Sequence, residues 1–405
     1  MPIPLPYNAI LCRYDEIATK GRNRGTFEHA LVRSLRRQLK SLGPLDVVRE
    51  RGRIYLVPRG RRTFSPDRCR RAFEAAERVF GLASLSPGFL FPPTLEAVEA
   101  VVSETFDKVY EAWERLRPGD SPIRYAMRAR RTRSSFPMTS QELEVLFAER
   151  LLPVHPRLRI DLRHPELRIE VDIRQRRAFL TYESFPGPRG LPLGTGGHLV
   201  TLLDASALAP LACYRMMRRG CTSALLLVTD SDETGMAGGV EGLQRTAVRL
   251  RAYQHKGGVY TASLCAARER VLASEYRELA PLLLDRLKVR LAAAVAQLEG
   301  GRAVVTGDNL LSPRPGAFAH LQLVDRAVPL PILRPLIAIS PCQAAELAGR
   351  LGIDLDPQTL PGLGRDAAAD RKGMPVTAPE TLWEAERELG FDPIPTGALH
   401  STNPA

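Results

Sequence analysis

HLVTLLDASALAPLACYRMMRRGCTSALLLVT, residues 198–229, sets the fold class of this 405-residue chain. The apolar run from His198 to Leu203 reads as a strand buried on both faces, and after a short loop the pattern from Ala209 to Arg219 is helical. A second apolar run, Ala224 to Thr229, returns as another strand. The alternation then continues through a helix ending near Tyr253, a strand from Val259 to Leu264, a long helix from Glu275 to Leu298 and a strand from Ala303 to Thr306. This βαβα order predicts a mostly parallel, doubly wound α/β sheet. Ligands of such sheets lie beyond the carboxyl ends of the strands, which makes 203–208, 229–233 and 307–311 the candidate loops. Gly194, Gly196 and Gly197 precede a strand instead of following one, so they are not a dinucleotide fingerprint.

Upstream, SFPGPRGLPLGTGG (184–197) has Gly or Pro at more than half its positions and reads as an irregular linker. Ahead of it come a helix over Asp67 to Phe80, a strand over Ala83 to Leu90, a helix over Leu95 to Leu116 and a strand over Ile123 to Arg130. A further helix opens on a Thr139/Glu142 capping box, and strands follow at Leu167 to Ile173 and Ala178 to Tyr182. The first sixty or so residues read as a small α+β unit: the strand AILCRY, a helix from Phe27 to Leu42, and short strands around Val47 to Val48 and Ile54 to Val57.

Charge divides the chain in the same place. The net charge is +12, and residues 1–180 carry 34 Lys and Arg against 22 Asp and Glu, so the whole excess lies in the first half. A one-sided basic excess suits a polyanion such as RNA, DNA or an acidic membrane surface. Arginine used simply to decorate solvated faces would give the same balance. Two clusters concentrate the charge. Lys20, Arg22 and Arg24 sit in a glycine-bounded turn, followed by Arg36 and Arg37 on a helix whose Leu31, Leu35 and Leu39 form the packing side. Arg124, Arg128, Arg130, Arg131 and Arg133 run from a strand into a loop ending at Phe136, which is expected to be available for base stacking.

No apolar run approaches the ~20 residues that cross a bilayer, and MPIPLPYNAILCRYDE lacks the form of a secretory leader. A cytoplasmic protein without a membrane partner is expected. Six scattered cysteines without a CxxC pair suit reduced thiols, and the isolated His198, His255 and His320 suggest no metal site.

Four separated pieces then carry a resemblance. RYDEIATKGRNRGTFEHAL (13–31), MRARRTRSSFPMTSQEL (127–143), GPRGLPLGTGG (187–197) and LPILRPLIAIS (330–340) resemble, in order and spacing, motifs of the tRNA 4-thiouridine synthetases, or tRNA sulfurtransferases. The resemblance implies a ferredoxin-like domain over 1–62, an RNA-binding THUMP domain over 63–183, a linker over 184–197 and a PP-loop domain over 198–405. It implies tRNA as partner, with Lys20, Arg22, Arg24, Arg36, Arg37, Arg128, Arg130, Arg131 and Arg133 as RNA contacts. A homodimer, a sulfur carrier or a second modifying enzyme are further partners it suggests.

Active members of that family carry a SGGxDSPVA loop. Here the loop reads Asp204-Ala205-Ser206-Ala207-Leu208-Ala209, so Asp replaces the first Ser, Ala205 and Ser206 replace both glycines, and Leu208 and Ala209 replace the Asp and second Ser. Side chains where backbone should approach a polyphosphate, and a carboxylate beside it, work against ordinary triphosphate binding. The degenerate nucleotide site is therefore expected around Leu202, Leu203, Asp204, Ala205, Ser206, Leu208, Ala209, Leu227, Val228 and Gly307. Arg286 and Arg290 keep the family's basic register, whereas Asp285 stands in place of an arginine. The family's CC-containing sulfur segment is matched by LDPQTLPGLGRDA (355–367), and no cysteine follows Cys342. The expectation is a tRNA-binding relative that needs no cofactor. The alternative is an active sulfurtransferase using ATP and Mg with an altered site and an external sulfur carrier.

Overall fold

A computed structural model describes residues 3–50, 52–60, 63–132, 135–204, 206, 208–229, 240–310, 316–353, 379–391 and 400–401. The chain divides into two compact units, Met1–Pro192 and Leu193–Ala405, with the division inside the Gly/Pro-rich stretch. The first unit runs β1 (Ala9–Arg13), α1 (Arg24–Gln38), β2 (Leu45–Glu50), β3 (Arg53–Pro58), α2 (Pro66–Ala76) and β4 (Ser84–Phe91). It continues with α3 (Leu95–Leu116), β5 (Ile123–Arg131), α4 (Ser140–Leu151), β6 (Leu158–Ile160), β7 (Leu167–Ile173), β8 (Ala178–Thr181) and β9 (Phe185–Pro186).

The β2-β3-β1-β4 portion of its sheet is the antiparallel βαββαβ order of a ferredoxin-like fold. The boundary expected at 62/63 therefore falls inside this motif, because α2 and β4 complete it. Ser65 caps α2 by accepting the Arg68 amide, Pro66 opens it and Asp67 faces the positive end of the helix dipole. Strand β4 then changes partners: Ser84 to Gly88 pair with β1, while Phe89 to Phe91 pair with β8. Gly88 sits at that handover, where a Cβ would lie 2.2 Å from the Leu180 carbonyl oxygen, so only glycine lets the strands close. The strands β8-β7-β5-β6 extend the sheet from there, with Thr139 and Glu142 forming the expected capping box on α4. The linker is not irregular throughout, since β9 pairs with β4 through Phe185 and Leu85.

The second unit comprises β10 (His198–Leu203), α5 (Ala209–Arg218), β11 (Thr222–Thr229), α6 (Val240–Arg251), β12 (Val259–Ser263), α7 (Cys265–Ala273) and α8 (Ala280–Glu299). It ends with β13 (Val304–Val305), α9 (Ala317–Asp325), β14 (Ile332–Leu333), α10 (Pro341–Leu351), α11 (Pro379–Glu388) and β15 (His400–Ser401). The sheet order is β14-β13-β10-β11-β12-β15, parallel except for the last strand. Val200, Leu202, Ala224, Leu226 and Val228 share a core with Leu283, Leu287 and Val295 of α8. On the opposite face the hydroxyls of Thr201 and Ser223 hydrogen-bond each other at 2.8 Å, and the buried Cys213 of α5 packs beside them. Helices thus cover both sides, as a doubly wound sheet requires. The helix expected from Glu275 begins at Ala280, where Pro281 needs no intrahelical N–H partner.

Candidate functional site

In the first unit the basic turn merges into α1, whose first residue is Arg24. Lys20 lies 5.4 Å from the centre of the Phe27 ring, and Arg22 is exposed. Arg24 instead turns inward: its Nε donates to Glu28 at 2.8 Å and its Nη2 to the Tyr14 hydroxyl at 2.8 Å, bonds that raise its pKa. Arg36 and Arg37 are exposed in the last turn of α1, where the helix dipole favours cations. Partial burial and the neighbouring charge of Arg33 lower the pKa of Arg37.

Period-two alternation on β5 buries Tyr125, Met127 and Ala129 and places Arg124, Arg128 and Arg130 on the other face. Arg128 donates to the Leu162 carbonyl at 2.7 Å and Arg131 to the Phe136 carbonyl at 3.2 Å. Arg130 and Arg131 are exposed. Phe136 corrects the expectation of a stacking platform: it is only 4% exposed and belongs to the hydrophobic core, where an apolar ring gains most by leaving water. Arg133 lies outside the described residues.

In the second unit the described residues between β10 and α5 hydrogen-bond one another. The Ser206 amide donates to Asp204 Oδ1 at 3.1 Å, the Leu208 amide to the Ser206 hydroxyl at 3.4 Å and the Ala209 amide to the Ser206 carbonyl at 3.3 Å. The Asp204 carboxylate, expected from the sequence to work against a polyphosphate, faces a cation: Lys288 Nζ stands 3.5 Å from its Oδ2. Burial raises the Asp204 pKa while Lys288 pulls it back. Lys288 also lies 3.3 Å from Asp285, whose second oxygen meets His320 Nε2 at 3.0 Å. Burial works to raise the Asp285 pKa, but the His320 hydrogen bond and the Lys288 charge outweigh it and the pKa is lowered. His320 is therefore not isolated. The i, i+3 spacing of Asp285 and Lys288 was readable in the sequence; the approach of Asp204 and His320 was not.

Most of the remaining expected nucleotide-site residues are packing. Leu202, Leu203, Leu208, Ala209, Leu227 and Val228 are all buried among apolar side chains or in the helix start, with Leu203 and Ala209 fully so. Strands covered on both faces have no free side on which such groups could meet a ligand. Only Asp204 and Ser206 of that set are partly exposed, and Ala205 lies outside the described residues. Gly307 is also buried: a Cβ there would stand 2.6 Å from the Ala209 amide nitrogen and 2.9 Å from its Cα. Close packing of β13's exit loop on α5 is sufficient reason for glycine. Gly307→Ala should consequently destabilise the second unit by about 1–3 kcal/mol, read as a lower urea midpoint at unchanged slope.

Arg286 and Arg290 point elsewhere than to this loop. Arg286 forms a two-bond ion pair with Glu386 of α11 at 2.6 and 3.0 Å, and Arg290 lies 3.5 Å from the same carboxylate. The segment expected to replace the sulfur-carrying cysteines, 355–367, lies outside the described residues. Among the described residues no group of three or more His, Cys, Asp or Glu could hold a metal ion, and no helix is long and apolar enough to cross a membrane.

Known proteins match this chain throughout. Residues 9–86 match the family described as ThiI ferredoxin-like domain, 97–183 the THUMP domain and 194–355 the family described as Thiamine biosynthesis protein (ThiI). A probable tRNA sulfurtransferase of Nocardia farcinica is 32% identical over 343 residues, covering 85% of this chain and 80% of the relative. One from Brevibacillus brevis is 27% identical, covering 85% and 82%. Among solved structures, a 4-thiouridine synthetase in complex with RNA and ATP superposes with a TM-score of 0.75 at 20% identity, covering 98% of this chain and all of that one. PH1313 from Pyrococcus horikoshii gives 0.63 at 25% identity, covering 85% of this chain and all of that one. With that extent of identity and coverage, the chain belongs to the tRNA sulfurtransferase family.

Proposed function

We propose that this protein binds tRNA through its first unit and that its parallel-sheet unit is a scaffold without ATP-dependent uridine adenylation or sulfur transfer. The observation that carries the second half is the bonding among Asp204, Ser206 and Leu208 after β10. The Ser206 and Leu208 amides that could hold a phosphate are met by the chain's own Asp204 and Ser206, and Lys288 faces that same Asp204 carboxylate. A polyphosphate would have to break these bonds and lie against Asp204, so the residues present do not fit Mg and ATP. The first half rests on the exposed Arg22, Arg36, Arg37, Arg130 and Arg131 and on the family's RNA-bound structural relative. Arginine on exposed helix and strand faces suits recognition of RNA by phosphate spacing and shape.

The retained linker and Gly307 favour the active alternative, yet the contact of Gly307 with Ala209 accounts for that glycine without a ligand. Calorimetric titration of the full-length protein with Mg·ATP should give no saturable heat, while filter binding of an unmodified tRNA transcript should saturate. Nucleosides of tRNA from a strain lacking the protein should retain 4-thiouridine. Saturable ATP binding together with loss of 4-thiouridine would reinstate a sulfurtransferase with an altered ATP site and an external sulfur carrier.

A further inference from the structure

The first unit's sheet returns upon itself, and an ionic seam holds it there. Strands β1, β4 and β8 lie between β3 and β7 in the hydrogen-bonded order. At ~4.8 Å per strand a flat sheet would therefore separate β3 from β7 by about 19 Å, beyond the reach of a side-chain pair. Yet Arg53 Nε of β3 lies 3.1 Å from Asp172 Oδ2 of β7. Arg13 of β1 reaches Glu170 of β7 at 2.9 Å, and Arg177 stands 3.6 Å from Glu50 of β2. Between these pairs the sheet encloses a second small core of Ala9, Leu11, Tyr55 and Phe179, in which the Tyr55 and Phe179 rings are 5.7 Å apart. The ferredoxin-like and THUMP parts are therefore clasped face to face as well as joined edge to edge.

Asp172 is the hub of this clasp. It is 7% exposed and accepts from Arg174 at 3.2 Å in addition to Arg53. Its cross-strand neighbour in the β5–β7 register is Arg130, which remains exposed. We propose that Asp172 is a positioning residue: by clasping Arg53 it fixes the separation between the cations on α1 and those at the end of β5, so that one folded RNA meets both sets. This rests on the reading of the first unit as an RNA binder. Two weak contacts on one rigid frame act as a bivalent site, in which the second contact forms at high effective concentration. Letting the clasp open lowers that concentration without removing any contact residue.

The proposal makes a prediction opposite in sign to simple electrostatics. Asp172→Asn removes a negative charge beside the basic face, which by Coulomb attraction alone should strengthen polyanion binding. We expect instead that affinity for an unmodified tRNA transcript falls about 10-fold or more. Affinity for a short single-stranded oligonucleotide, able to occupy only one cation set, should stay within about twofold. Asp172→Glu, which can keep the pair, should restore tRNA binding. If Asp172→Asn fails to fold, Arg53→Gln opens the same bridge while leaving Asp172 paired with Arg174, and the same split between tRNA and oligonucleotide is expected. Tighter or unchanged tRNA binding, or equal weakening for both RNAs, overturns the positioning role. Failure of the unsubstituted protein to bind either RNA overturns the RNA-binding reading itself, a result separate from the behaviour of the variants.

Discussion

Glu386→Ala should destabilise the second unit by about 3–5 kcal/mol, because it strands a buried guanidinium. Arg286 and Glu386 are each only 2% exposed, and two hydrogen bonds at 2.6 and 3.0 Å join them in the forked geometry that suits arginine. Removing the carboxylate leaves a buried, charged Arg286 with the Leu323 carbonyl as a remaining partner and Arg290 nearby. The pair also ties α11 to α8, alongside the apolar contacts of Leu382, Ala385, Leu389 and Phe391 with the core. Urea unfolding should show a lower midpoint, and cleavage by protease should become faster within 379–391. The double replacement Arg286→Met with Glu386→Leu should lose less, since it removes the buried Arg286 charge together with its partner and leaves only Arg290, which keeps its bond to the Phe391 carbonyl. If the single variant is as stable as the parent, the ion pair does not hold α11.

Arg130→Glu combined with Arg131→Glu should weaken binding of a tRNA transcript by about 10- to 100-fold near physiological salt. Both side chains are exposed at the end of β5, where changing them opens no cavity. Each phosphate contact contributes close to one released counterion, so losing two should flatten the slope of log affinity against log salt by about 1.8. Unfolding in urea should shift by about 1 kcal/mol at most, the contribution of the bond from Arg131 to the Phe136 carbonyl, since Tyr125, Met127 and Ala129 are untouched. A constant slope would assign the RNA contacts to other residues. Arg24 would be a poor choice for the same test, since its bonds to Glu28 and Tyr14 are structural and its replacement would mix folding with binding.

Much of the architecture is legible in the sequence. Continuous apolar runs such as His198–Leu203 can hardly be anything but strands covered on both faces, and Leu95–Leu116 and Leu167–Ile173 have the ends the sequence reading expected. Short elements such as β6 and β9 escape because two or three residues carry no period, and they exist only through the partners they pair with. The first domain boundary was misplaced for a related reason. Nothing local in Pro66–Ala76 or Ser84–Phe91 says which sheet will accept them; the pairing of β4 with β1 does.

For the sites, the sequence by itself determined the cationic half, the altered residues after β10 and the family, because charge, residue identity and motif order are properties of the string. Only the tertiary structure decided which of those residues are free to act. It buried Phe136, turned Arg24 inward, joined Asp204 to Lys288 and the His320–Asp285 pair, and brought Arg53 to Asp172 across three intervening strands. Each of these depends on burial or on distance between residues remote in the chain, and both arise only when side chains compete for the same excluded volume and the same few partners.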